Sequence, residues 1–91
     1  MALMLTYIAG VNHRPGSAAR LAAMIPGEAL VLFPELANKF DKNAVAVYDG
    51  NLQLGYIPAV DAPAVKKALA AGPVKAVFRG APATTSIAIS W

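Results

Sequence analysis

The sequence predicts a small mainly β domain (β+α), an antiparallel barrel of about six strands with two short α-helices in the order β-α-β-β-β-α-β-β. Three observations carry this. Short apolar runs recur between turn signals along a chain of 91 residues. Asp49-Gly50-Asn51 between two of them is a tight-hairpin signal. Such a chain has room for one domain, residues 1–91, and closing the sheet removes edges that a small domain would otherwise expose.

Leu3 to Val11 reads as the first strand, with Leu5, Tyr7, Ala9 and Val11 on one face. Gly10 interrupts it, which suggests a bulge or a close backbone approach. Asn12-His13-Arg14-Pro15-Gly16 is a turn. Ser17 can cap a short helix whose apolar stripe is Ala18, Leu21, Ala22 and Ile25, with Arg20 off the stripe. Pro26-Gly27 ends it.

Ala29 to Phe33 is the second strand, stopped by Pro34. A polar loop from Glu35 to Asn43 then runs into the third strand, Ala44 to Tyr48, and the hairpin returns as Leu52 to Ile57. Asp61 reads as the N-cap of a second helix, with Pro63 in the first turn and Val65, Ala68 and Leu69 as its core stripe. Lys66 and Lys67 point elsewhere, and Gly72-Pro73 is the stop. Val74 to Arg79 and Thr85 to Trp91 complete the strands, the last with Ile87, Ile89 and Trp91 on one face.

Composition narrows the function. The chain has no cysteine, which excludes disulfides and thiolate zinc sites, and one histidine, which leaves no histidine-based metal cluster. No cofactor is implied. The apolar stretch Met1 to Val11 is shorter than the roughly 20 residues a membrane helix needs and has no basic flank, so no membrane partner is expected and the cytoplasm is the default location. A net charge of +3 permits a polyanionic partner without demanding one.

The central loop is the informative stretch. Asn38, Lys39, Asp41, Lys42 and Asn43 surround one aromatic, Phe40. Asx side chains bond nearby backbone and favour tight loops, so Asp41 and Asn43 are expected to fix the entry into the strand. A ring between cations suits an unpaired polynucleotide, because the ring stacks on a base while the cations track phosphates. Asp41 repels phosphate but can accept a hydrogen bond from a terminal ribose hydroxyl.

Glu35-x-x-Asn38-x-x-Asp41-x-Asn43-Ala44-Val45-x-Val47, followed by Gly55-Tyr56-Ile57-Pro58 and preceded by Gly10-Val11-Asn12-His13-Arg14, resembles the HIRAN domain over nearly the whole chain. HIRAN domains are small modules found at the front of certain DNA-repair helicase-like ATPases and as standalone bacterial or phage proteins. The resemblance implies an OB-like antiparallel barrel with two short helices that binds single-stranded DNA, in the best-understood member at a free 3′ end, in DNA repair or replication-fork processing. It implies Asn12, His13 and Arg14, then Phe40, Asp41 and Lys42, and also Tyr56, as the nucleic-acid-binding residues. The family often has proline where this chain has Leu36, and the end-binding member has two aromatics where this chain has His13 and Arg14. Both of these can still stack on a base, and Arg14 can also pair a phosphate.

Two other readings compete. Small barrels also bind peptides, so the same aromatic face could make a protein–protein interaction module. A metal-dependent nuclease built on Asp41 and Glu35 would need several convergent carboxylates, and five scattered acids do not supply them. No nucleophile–base pair or phosphate-cradling glycine loop is present, so no catalysis is expected. A helicase or nuclease acting in trans would supply any chemistry.

Overall fold

The computed structural model describes residues 1–91. Six strands are present: β1 (Leu3–Tyr7), β2 (Ala29–Pro34), β3 (Val45–Asp49), β4 (Leu52–Tyr56), β5 (Lys75–Phe78) and β6 (Ser86–Ser90). Helix α1 (Ser17–Ala23) follows β1, and α2 (Ala62–Ala71) follows β4. The strands form one antiparallel sheet in the order β1-β6-β5-β2-β3-β4. It curls into an OB-like barrel whose two ends meet at one residue pair. Ala9 and Tyr56 exchange backbone hydrogen bonds of 2.7 and 2.9 Å there.

Alternation decides which residues fill the barrel. Met4, Ile89, Ala76 and Leu30 lie side by side across four strands and face inward. With them pack Val45, Val47, Leu54, Ile87 and, from α2, Val65, all fully buried. Each such aliphatic side chain contributes about 1.5–3 kcal/mol on burial. The inner face is therefore the main source of stability, and α2 packs against it through Ala62 and Val65.

The structure corrects the sequence reading in several places. β1 ends at Tyr7, and Gly10 (φ 74°) turns the chain into a 3₁₀ turn, Val11–His13, rather than making a bulge. The close backbone approach lies instead at Gly55, where an added Cβ would sit 2.2 Å from the Ala9 carbonyl oxygen. On β1 the face carrying Leu5 and Tyr7 is the outer one, since Met4 is opposite Ile89 and Ile8 is buried.

Helix α1 is rotated from its expected stripe. Gly16 is its N-cap, and Ser17 lies inside the helix, fully buried, its Oγ donating to the Gln53 carbonyl at 2.9 Å. That bond on β4 turns Leu21 and Met24 inward and leaves Ala18, Ala22 and Ile25 exposed. Arg20 consequently reaches Asp49 and Glu28, pairing with both. The Asp49 hydrogen bond, then that of Glu28, raises the Arg20 pKa. Glu28 is held below its ordinary range, first by the Ile25 backbone N–H and then by Arg20. At α2, Asp61 occupies the N-cap position without capping; its carboxylate accepts from Thr6 Oγ1 at 2.8 Å.

Candidate nucleic-acid interface

Two loops meet over the barrel's closing pair. The first leaves β1 through Gly10, whose carbonyl accepts from the His13 N–H at 3.0 Å; the resulting 3₁₀ turn delivers His13 and Arg14. The second is the segment between β2 and β3. Its shape is set by side chains bonding backbone, as Asx residues do. Asn38 Oδ1 accepts from the N–H groups of Phe40 and Asp41, both at 2.9 Å. Asp41 Oδ1 accepts from the Asn43 N–H at 2.8 Å, so the expected loop-closing role of Asp41 is present. Its second carboxylate oxygen has no partner in the protein.

One hydrogen-bonded path joins the loops. Arg14 Nη2 donates to the Tyr56 hydroxyl at 3.0 Å, and the guanidinium carbon stands 5.4 Å from the Tyr56 ring centroid. The Tyr56 hydroxyl in turn donates to Glu35 Oε1 at 2.9 Å. Asn38 Nδ2 donates to the same oxygen at 3.0 Å. Through Asn38 the path reaches the backbone of Phe40 and Asp41. A single carboxylate thus connects the two halves.

Between the loops lies a cavity of about 760 Å³. His13, Arg14, Asn38, Phe40, Asp41 and Tyr56 line it, over an apolar floor that includes Ala9 and Ile57. Phe40 is 97% exposed, an unsupported ring at its rim. Of the seven residues the sequence singles out, five are gathered here: His13, Arg14, Phe40, Asp41 and Tyr56. Asn12 opens into an adjoining cavity that shares Ala9 and His13. Lys42 is exposed and lies outside the lining, its carbonyl accepting from Lys66 Nζ at 2.9 Å. Lys39, also exposed, is outside as well.

Glu35 and Asn38 lie outside the binding set that the sequence points to. Their spacing of three in a polar loop, with an Asx turn following, was the available signal. It cannot reveal that a strand tyrosine distant in sequence completes the path.

The arrangement offers an exposed ring for stacking, a guanidinium with no carboxylate in direct contact, and a carboxylate oxygen free to accept. No group of three or more His, Cys, Asp or Glu residues is placed to hold a metal ion.

The HIRAN domain family model matches residues 3–90. Among solved structures, the HIRAN domain of human HLTF is 20% identical, with a TM-score of 0.74 over 97% of this chain and 71% of that one. A protein from Lactobacillus plantarum is 19% identical, with a TM-score of 0.78 over 97% of this chain and 91% of that one. At such identities the two structures share the fold. No curated protein sequence matches the chain.

Proposed function

The chain belongs to the HIRAN domain family, and we propose that it is a non-catalytic module that binds single-stranded DNA with the 3′-hydroxyl end seated in the Arg14–Phe40–Asp41 groove. The observation that carries this reading is the meeting of Arg14, Phe40 and Asp41 in one cavity, although they come from separate loops. Phe40 stacks on the terminal base and His13 supports it, which contributes about 1–3 kcal/mol per base. Arg14 pairs a phosphate. The free oxygen of Asp41 accepts from the terminal hydroxyl and repels a terminal phosphate. Asn12 and Lys42 contribute at the margins of the groove, outside its lining.

Nothing in this groove is arranged to break a bond. Glu35 is committed to two hydrogen bonds, and the carboxylates here belong to no group of three or more His, Cys, Asp or Glu residues that could hold a metal ion for cleavage. In this reading, strand separation or cleavage in repair or at replication forks is the work of a helicase or nuclease, in another domain or in trans.

The test compares oligonucleotides ending in a 3′-hydroxyl and a 3′-phosphate by fluorescence anisotropy. The hydroxyl end binds at least about tenfold more tightly, as expected for a charge-assisted bond replaced by like-charge repulsion. Equal binding removes the role of Asp41. No binding even at low salt refutes the DNA reading and favours the peptide-binding alternative.

A further inference from the structure

The outer face of the sheet carries a second surface, separate from the groove. On β1 it presents Leu3, Leu5 and Tyr7, which are 68, 58 and 51% exposed. The register sets Ser90, Ala88 and Ser86 of β6 opposite them, three small side chains. Beyond these, Lys75 and Val77 of β5 stand opposite Ser90 and Ala88, and Arg79 follows on the same face. A column of small residues between two taller ones makes a trough. At one end of it Leu5, Tyr7, Ser86 and Arg79 line a cavity of about 680 Å³. One wall is apolar and the other is cationic. The ion pairs of the protein both belong to Arg20, so Lys75 and Arg79 have no carboxylate partner. That cavity and the groove share no lining residue.

Single apolar side chains on a surface need no partner, but a contiguous row along one strand marks a contact face. The two walls are two strand spacings apart, roughly 10 Å, which matches the diameter of an α-helix. A sheet face exposes side chains rather than unpaired backbone groups, so an added strand would find no ladder to join here. Nucleic acid would meet the cations but leave the leucines of β1 uncovered. We propose that the trough docks an acidic amphipathic helix of a partner protein, its apolar stripe on Leu3, Leu5 and Val77 and its carboxylates on Lys75 and Arg79. A second copy of this chain does not supply that charge. Neither α1 nor α2 contains an Asp or Glu, and α2 carries Lys66 and Lys67. The proposal does not rest on the reading of the groove, and the two surfaces can be occupied together.

The probe is a short helical peptide with leucines at i, i+3, i+4 and i+7 and glutamates along one flank, beside the same peptide with lysines in place of the glutamates. Isothermal titration at low salt should find the acidic peptide bound about tenfold more tightly or better, as for two ion pairs replaced by two repulsions. Backbone ¹⁵N shift mapping should place it on β1, β6 and β5. Lys75→Glu combined with Arg79→Glu should invert the preference between the peptides. Leu5→Glu should abolish binding of the acidic one. Circular dichroism melting checks that both variants fold, and both should bind single-stranded oligonucleotides nearly as the unaltered protein does. Equal binding of the two peptides, or none, overturns the proposal, as do shifts outside these strands or a preference that survives the charge reversal. Concentration-dependent dimerisation that Leu5→Glu abolishes overturns it too, because a second copy then covers the face. So does a loss of oligonucleotide binding in the charge-reversed variant as large as that in Arg14→Ala, because nucleic acid then occupies the cations.

Discussion

Arg14 and Arg20 stand just before and within the same short helix, yet they are held in opposite ways. Arg20 is pinned by two carboxylates, Asp49 and Glu28, which neutralise it and tie α1 to the β3–β4 hairpin and to the start of β2. Arg14 is oriented by the Tyr56 hydroxyl, and the Glu35 carboxylate lies one hydrogen bond further on. A hydroxyl fixes the direction of a guanidinium without cancelling its charge. Arg20 is thereby a structural tie, while Arg14 keeps its field for an incoming anion. In this barrel the second partner, rather than the arginine, decides which role is taken.

The most drastic way to break the contrast is to remove the frame under Arg14 alone. Gly55→Ala would place a methyl against the Ala9 carbonyl and Ile8, and backbone on both strands cannot swing aside as a long side chain could. The expected cost is about 3 kcal/mol, the upper end for overpacking. The closing pair should open, separating the Arg14 turn from Tyr56 while leaving the Arg20 cluster intact. Denaturant unfolding gives the cost, and loss of amide-exchange protection at Ala9 and Tyr56 but not at Asp49 would locate it. Uniform loss of protection would count against a local frame.

Removing each arginine in turn sharpens the comparison. Arg14→Ala should weaken oligonucleotide binding about tenfold or more and reduce the salt-dependence slope by about 0.7, the share of one phosphate contact on a single strand. Arg20→Ala should lower the melting temperature and leave affinity unchanged. If Arg20→Ala weakens binding as much as Arg14→Ala does in a folded protein, the two residues are not divided in this way.

A smaller effect is expected at the carboxylate behind the groove. Glu35→Ala removes the shared acceptor of Tyr56 and Asn38. It should free Arg14 and the Phe40 loop, weakening binding about fivefold, on the scale of a single hydrogen bond. Glu35→Gln keeps an acceptor oxygen and should retain most of the affinity. Side-chain ¹⁵N relaxation of Arg14 in the unliganded protein reads the ordering directly; unchanged mobility in Glu35→Ala would show that the path does not restrain it.

How much of this was legible before folding follows from the range of each interaction. The hairpin, the six strands and both helices are written in local alternation and turn residues. The loop geometry at Asp41 and Asn43 was legible too, because Asx bonds reach only a residue or two. The facing of α1 was not: Ser17 looks like a cap in sequence, and only the carbonyl of Gln53 on β4 draws it inward. The outward facing of Leu5 and Tyr7 is not legible locally, because both faces of β1 carry large side chains and pairing with β6 settles which is inside. Grouping Arg14 with Phe40 came from the family resemblance; no local pattern carries it. Glu35 stayed hidden as a hub because its partner Tyr56 comes from another strand.

The finest distinction between the two clusters is their response to acid. Glu28 is held below its ordinary pKa of 4.5, by the Ile25 N–H first and Arg20 second. Its carboxylate is therefore bound more firmly in the folded chain than in the unfolded one. That stabilisation is complete at pH values above the unfolded value and is lost as pH falls through the lower folded value, because the unfolded chain takes up the proton first. Arg20, shifted upward by the Asp49 and Glu28 hydrogen bonds, stays protonated throughout the acid range, so it adds nothing to the acid limb. The melting temperature should decline as pH drops below about 4.5, and Glu28→Gln should flatten part of that decline while leaving oligonucleotide affinity at neutral pH unchanged. Because Gln can still accept from the Ile25 N–H, any flattening reports the charge rather than the turn. An acid limb of the same steepness in Glu28→Gln would mean that the Arg20 cluster does not set the response to acid.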